Sequence, residues 1–145
     1  MSQIRGAEQC ASMGRMSPKI HILIIDNDSQ NLRACKEILS SWKNATVTTC
    51  NGPGATALVC SCAPDLVLTE LLMPGKDGIE LLREIKLAFP QIKVIAMSGG
   101  GTFLSSEFVL RLARKLGADG TVSKPVDARQ VLESIEMALF PQAGR

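Results

Sequence analysis

Tyrosine is absent from this 145-residue chain, and aromatic residues of every kind make up only 3% of it. A core must therefore be built from Leu, Ile, Val, Met and Ala, and an aromatic platform for stacking single-stranded nucleic acid is excluded. An excess of one charge is lacking too. Sixteen Lys and Arg stand against 14 Asp and Glu, a formal net charge of +2, and no stretch gathers the bases into a patch. That balance speaks against a DNA-binding module. No run reaches the roughly 18 apolar residues that cross a membrane, and residues 1–17 lack the continuous apolar core of a signal peptide. Together these point to the cytoplasm. Histidine occurs once, at His21 in a strand-like run, where a satisfied or half-exposed side chain is expected rather than a catalytic base. The five cysteines, Cys10, Cys35, Cys50, Cys60 and Cys62, are odd in number and show no Cys-x-x-Cys spacing. Cys60-Ser61-Cys62 has no second ligand pair, so the cysteines read as small buried thiols.

What is present is ordinary globular composition, 46% hydrophobic and 21% charged, at a length suited to one domain. Residues 1–18 show no periodicity and are read as an N-terminal extension, 19–140 as the domain and 141–145 as a tail. From Lys19 onward, short apolar runs alternate with amphipathic segments. Ile20 to Ile25 is β-branched and almost continuously apolar, as a parallel strand covered on both faces must be. Leu32, Cys35, Ile38, Leu39 and Trp42 then recur at helical spacing. Ala45 to Cys50 is a partly polar strand suited to an edge, followed by a turn at Asn51-Gly52-Pro53-Gly54 and a small-residue helix, Ala55 to Cys62.

Asp65 to Thr69 gives a third strand. Turn signals at Pro74-Gly75 and Asp77-Gly78 precede a helix carrying Leu81, Leu82, Ile85 and Ala88. Gln91 to Met97 is the fourth strand, and three glycines, Gly99 to Gly101, follow it as a loop. Leu104, Phe108, Leu112 and Leu116 line the next helix, which Gly117 closes as a left-handed cap. A short fifth strand, Ala118 to Ser123, stops at Lys124-Pro125, whose peptide bond could be cis or trans. Asp127 then caps a last helix that buries Val131, Leu132, Ile135 and Leu139. Five strands alternating with five helices predict an α/β domain with a doubly wound five-stranded parallel sheet. In such sheets, loops at the carboxyl ends of the strands gather at one edge, where ligands bind. Those loops carry Asp26-Asn27-Asp28, Glu70, Ser98 and Lys124. An acidic cluster facing one Lys and one hydroxyl suits a divalent cation and a phosphoryl group. No G-x-G-x-x-G or G-x-x-x-x-G-K-[ST] pattern is present, so neither a nucleotide nor a flavin is expected.

These residues resemble the receiver domains of two-component signalling, over roughly residues 19–140. The resemblance is carried by the opening Ile-Ile-Asp-Asn-Asp, by Asp65-Leu-Val-Leu-Thr-Glu-Leu-Leu-Met-Pro-Gly-Lys-Asp-Gly78, by Ala96-Met97-Ser98-Gly99 and by Lys124-Pro125, four motifs in order at strand ends. It implies a flavodoxin-like receiver fold that signals by binding a partner rather than as an enzyme. The implied phosphoacceptor position is Glu70, where the family carries Asp. Ser98 and Lys124 are implied as the groups that contact the phosphoryl oxygens. Mg²⁺ is implied at Asp26, Asn27, Glu70 and the backbone carbonyl of Leu72, with binding weakened because Asn27 and Glu70 stand where the family has Asp. Asp28 could join the metal site if the chain stays extended, but capping of the first helix is the plainer role.

Glu70 sets its carboxylate about 1.5 Å further out, one C–C bond, than Asp. A misplacement of ~1 Å can cost a positioned reaction on the order of 10²-fold. Reduced or absent phosphorylation is therefore expected. Three accounts of Glu70 stay open: a natural feature of a receiver that signals without phosphate, an engineered imitation of the phosphorylated state in a conventional Mg²⁺-dependent receiver, or a structural acid pairing with Lys124. A small phosphotransferase-like enzyme of the same fold is a further alternative. The family's switch aromatic, three residues before the lysine, is Thr121 here. The implied partners are a sensor histidine kinase or phosphotransfer protein and a downstream protein on the face of the fourth helix, fifth strand and fifth helix. Nucleic acid and membrane are not expected, and a monomer or weak dimer is.

Overall fold

The computed structural model of the protein describes residues 19–100 and 104–141. The extension over 1–18, the tail residues 142–145 and Gly101 of the glycine loop lie outside the described residues. The five long strands are β1 (Ile20–Ile25), β2 (Ala45–Cys50), β3 (Leu66–Glu70), β6 (Lys93–Ser98) and β7 (Gly120–Ser123). Five helices alternate with them: α1 (Ser29–Leu39), α2 (Ala55–Cys62), α3 (Gly78–Ala88), α4 (Ser106–Lys115) and α5 (Ala128–Leu139). All four strand pairings of the large sheet are parallel, in the order β2-β1-β3-β6-β7. The predicted doubly wound fold is therefore observed, with the partly polar β2 on an edge as its composition requires.

Alternation along each strand divides the core in two, because successive side chains face opposite sides of a sheet. Leu23, Ile25, Val67, Val94 and Ala96 pack under α2, α3 and α4. Ile22, Ile24, Leu66, Leu68, Ile95, Met97 and Val122 pack under α1 and α5. Both sets are almost wholly removed from water, which is why these strands read as continuous apolar runs rather than as alternating ones.

Two additions and two corrections concern the elements. The turn signals after β3 form a small antiparallel hairpin, β4 (Leu72–Met73) with β5 (Lys76–Asp77), around Pro74-Gly75. Gly75 has φ +76°, as the third position of a type II turn demands. The predicted stripe on α4 is displaced by one position, from Phe108 and Leu112 to Val109 and Ala113. Val109 and Ala113 are the buried residues, whereas Leu104 and Phe108 are exposed, at 43% and 51%. The close is as expected: Gly117 (φ +108°) donates to Arg114 O and the Ala118 N–H reaches back to Ala113 O, the paired bonds of a Schellman cap. The cysteines are the other correction. Cys35 is buried, but Cys60 is exposed and Cys50 and Cys62 only half-buried.

Candidate functional site

β1 and β3 are neighbours in the sheet, yet the chain leaves them in opposite directions, to β2 on one side and to β6 and β7 on the other. The crevice such a reversal opens lies at the strands' carboxyl ends. Asp26 follows β1 directly and Glu70 is the last residue of β3. Ile25 pairs with Thr69, which sets the two carboxylates side by side. Glu70 and Ser98 are thus strand residues rather than loop residues. Asp26 and Ser98 are fully buried, and Glu70 is 5% exposed.

Lys124 reaches this pair from beyond β7. Its ammonium lies 2.7 Å from Asp26 Oδ2 and 2.6 Å from Glu70 Oε1. Two features give it passage over the end of β6. Its own N–H is held by Ser98 O at 3.1 Å, and at Gly99 a Cβ would stand 3.4 Å from the Lys124 Cβ. The Lys124-Pro125 bond is cis, which the sequence left open. Burial alone would lower the Lys124 pKa, but the hydrogen bonds and charges of Asp26 and Glu70 outweigh it and hold the amine above its ordinary value.

The remaining carboxylate oxygens are also engaged. Glu70 Oε2 accepts the N–H groups of Leu71 (2.8 Å) and Leu72 (3.0 Å). Asp26 Oδ1 accepts the Asp28 N–H at 3.0 Å, and Oδ2 accepts the side-chain amide of Asn31 at 2.6 Å. Asn31, which the sequence reading missed, is buried on α1 in line with Cys35 and Leu39. A polar residue on an otherwise apolar helical stripe was the available signal. Its amide also lies 3.6 Å from Met97 Sδ, and the Cys35 thiol 3.9 Å from the same sulfur. Burial, with Asp26 adding and Lys124 opposing, pushes the Cys35 thiol up to about 11. Ser98 Oγ accepts the Gly100 N–H at 3.0 Å.

Gly78 closes the floor of the site. It opens α3 against β3, and a Cβ there would meet Glu70 O and lie 2.6 Å from Leu71 Cα and 2.8 Å from Leu71 O. Only glycine allows α3 to start this close to the backbone that carries Glu70.

The other predicted ligands meet this cluster through backbone, the Asp28 N–H on Asp26 Oδ1 and the Leu72 N–H on Glu70 Oε2. Asn27 is exposed. Asp28 is extended (φ −91°, ψ 108°), but its carboxylate caps α1 by accepting the Gln30 N–H at 3.0 Å. Leu72 is half-buried in β4, paired with Asp77. Among the described residues no three His, Cys, Asp or Glu side chains are grouped to hold a metal ion. Each carboxylate oxygen can accept about two hydrogen bonds. With Lys124 counted, Asp26 Oδ2 and Glu70 Oε2 are full, and only Asp26 Oδ1 and Glu70 Oε1 keep one position each. Mg²⁺ keeps several waters and takes one or two carboxylates, so Asp26 Oδ1 and Glu70 Oε1 are the atoms that would hold it here.

Thr121, at the position of the expected aromatic, accepts a hydrogen bond from the Arg114 guanidinium at 2.8 Å. His21 is half-exposed as expected, its Nε2 sitting 2.8 Å from Thr48 Oγ1.

Comparison with known proteins agrees with this geometry. The family described as the response regulator receiver domain matches residues 22–136. Sporulation initiation phosphotransferase F of Bacillus subtilis is 30% identical over 118 residues, 81% of this chain and 92% of that protein. Transcriptional regulatory protein ZraR of Salmonella typhimurium is 34% identical over 121 residues, and the chain spans only 26% of its length. Among solved structures, a CheY-like response regulator receiver domain protein from Methanospirillum hungatei superposes with a TM-score of 0.73 at 30% identity, covering 88% of this chain and 98% of that one. Receiver domains bind Mg²⁺ at their phosphorylation site and work with histidine kinases or phosphotransfer proteins and downstream effectors. Two buried carboxylates bridged by a lysine at the switch point of a five-stranded parallel sheet, and a family match over residues 22–136, nearly all of that sheet, lead to one conclusion: the chain belongs to the response regulator receiver family of two-component signalling.

Proposed function

We propose that this receiver domain signals by binding a protein partner, and that Glu70 stands at the phosphoacceptor position with phosphorylation reduced or absent. The observation that carries the reading is the bonding of the Glu70 carboxylate. One oxygen lies on Lys124 and the other on two backbone N–H groups. Oε2 is saturated by the two N–H groups, so attack on phosphorus falls to the one open position of Oε1, the oxygen that Lys124 also engages, in a site already lengthened by a methylene. Positioning dominates phosphoryl transfer, so both features slow it. The same bonding gives Glu70 a fixed negative charge beside Lys124. That is about half the charge of an acyl phosphate, so any imitation of the phosphorylated form is partial.

The partner surface we assign is the face formed by α4, β7 and α5. Exposed Leu104, Phe108 and Met137 on or beside these helices support it, since apolar side chains on a small domain's surface favour protein contact. Domain limits of 19–140 and work in the cytoplasm, as a monomer or weak dimer, complete the proposal. A second reading, a conventional phosphoacceptor in which Glu70 is an engineered imitation of the phosphorylated state, is favoured by a buried hydroxyl, Ser98, at the end of the neighbouring strand and by the Lys124 ammonium on Glu70.

Intact mass after incubation with acetyl phosphate and Mg²⁺ tests both. No gain for this chain, with weak labelling of the Glu70→Asp form, is the expected result. A base-labile gain of one phosphoryl group on the unaltered chain overturns the first reading.

A further inference from the structure

We propose that the cleft between α4 and the edge strand β7 binds a carboxylate side chain of the protein partner, with the Arg114 guanidinium as its anchor. This rests on the assignment of the partner surface to α4, β7 and α5, and it names the chemistry that one part of that surface recognises.

Alternation along β7 sends Val122 into the core under α1 and α5 and turns Thr121 and Ser123 to the other side, toward α4. β7 pairs only with β6 and ends the sheet, so no further strand covers these two hydroxyls. With Arg111 and Arg114 of α4 and Gln130 of α5 they line a cleft of about 360 Å³. That volume admits an acidic side chain and part of its neighbours.

The lining is rich in donors and poor in acceptors for them. Arginine carries five N–H donors and accepts nothing. Arg114 gives one of them to Thr121 Oγ1 at 2.8 Å, and among the described residues no carboxylate lies within 4.0 Å of it. The two acids of the adjoining hollow are engaged elsewhere. Asp119 is held by Lys86 and by the Val94 N–H, each at 2.9 Å, and Glu133 by Arg129 at 3.0 Å. Glu107, on the rim, stands 4.0 Å from Arg111 with its side chain 86% exposed. The side chains of Ser123 and Gln130 make no hydrogen bond among the described residues. Two cations against one rim acid leave the cleft positive.

A carboxylate answers this arrangement, because its two oxygens match the planar guanidinium fork with parallel hydrogen bonds. Thr121 already holds one corner of the fork, so less side-chain freedom is lost when a ligand arrives. Leu110, half-buried in the same cleft, adds an apolar wall. An acidic residue beside an apolar one therefore fits best. An arginine in the last turn of α4 also suits the helix dipole, but the dipole requires neither the bond to β7 nor the unfilled donors beside it.

The test uses the whole ¹⁵N-labelled chain and follows its backbone amide and arginine Nε–H signals. The probes are a capped Ala-Glu-Leu-Glu-Ala peptide, its twin with glutamine in place of glutamate, and inorganic phosphate, all at matched ionic strength. We expect saturable millimolar binding of the glutamate peptide, with shifts centred on Thr121, Ser123 and Arg114. Binding should be at least about tenfold weaker for the glutamine twin, and for the glutamate peptide on the Arg114→Gln form. No saturable binding, equal binding of the two peptides, or undiminished binding by the variant overturns the proposal. So does phosphate that binds these residues more tightly than the glutamate peptide. Arg114 is exposed, and if the variant nevertheless does not fold, the two peptides on the unaltered chain decide. Because no partner is present in the titration, its failure strikes the carboxylate and leaves the surface assignment standing. A partner that shields a different face from hydrogen exchange, with the peptide still bound here, strikes that assignment instead.

Discussion

At the scale of single residues, the site tolerates few changes because its polar groups are buried and mutually satisfied. Among the described residues no buried side-chain polar atom lacks a partner, so each deletion strands another group. Asn31→Ala removes the amide that meets Asp26 Oδ2 at 2.6 Å. A hydrogen bond to a buried charge is worth about 1.5–3 kcal/mol, and the unfolding free energy measured in urea should fall by that amount. Gly78→Ala tests sterics instead. The added methyl is driven into the β3 backbone at Glu70 and Leu71, and overpacking of this kind costs about 1–3 kcal/mol. Because the clash is with backbone, we expect the upper end of that range by equilibrium unfolding. Asp26, Glu70, Ser98 and Lys124 were legible in the sequence, being polar residues that interrupt apolar runs at strand ends. Asn31 was less so, since one polar residue in an amphipathic helix looks like solvent-facing chain until its neighbours are known. Gly78 was legible only as a turn signal, because the demand for glycine comes from a strand eight positions back.

The element scale divides cleanly between capping and packing. Asp28, Asp77, Ser105 and Asp127 each cap a helix by accepting a backbone N–H at its start. Asp127→Ala should lower stability by about 1 kcal/mol, measured as a shift in denaturant midpoint with unchanged slope. α4 offers the sharper contrast. Phe108→Ser should change stability by less than about 0.5 kcal/mol, as surface substitutions do. Val109→Ala, one position on and fully buried, should cost about 2 kcal/mol in lost burial and cavity. Equal losses for the two would mean that α4 is rotated from the orientation described. The sequence misplaced this face because Leu104, Phe108, Leu112 and Leu116 form a regular four-residue series, and periodicity cannot tell a stripe facing the core from one left for a partner. Strand positions were read more reliably. A parallel strand buried on both faces has no polar side to confuse, and β1, β2 and α2 were read to the residue.

At the scale of the whole molecule, two shifted groups set the response to alkali. The folded pKa values of Cys35 and Lys124 both lie above the ordinary values of 9.0 and 10.5. For a raised group, the contribution to stability is complete below the unfolded pKa and is lost as pH rises through the folded one. Stability should therefore be flat with respect to these groups through neutrality and fall above pH 9, first as the unfolded Cys35 thiol ionises and the buried one does not. Denaturant melts followed by fluorescence of Trp42, the only tryptophan and packed at the edge of the α1–α5 core, measure this directly. A stability rising between pH 9 and 11 would contradict it. Thiol access gives an independent check: alkylation of the native protein at pH 8 should modify exposed Cys60 well before Cys35, whose reaction awaits unfolding.

The sequence by itself determined the number and order of the elements, the parallel sheet and the strand ends that carry the chemistry. These depend on local patterning, since two-sided burial enforces continuous apolar strands and helices mark themselves by period and cap. Tertiary structure alone decided which oxygens meet which donors: that Lys124 bridges Asp26 and Glu70, and that Asn31 and Gly78 belong to the site. These contacts join residues from five to nearly a hundred positions apart. Which donors reach the two buried carboxylates is set by distances between strand ends that only the packed sheet fixes.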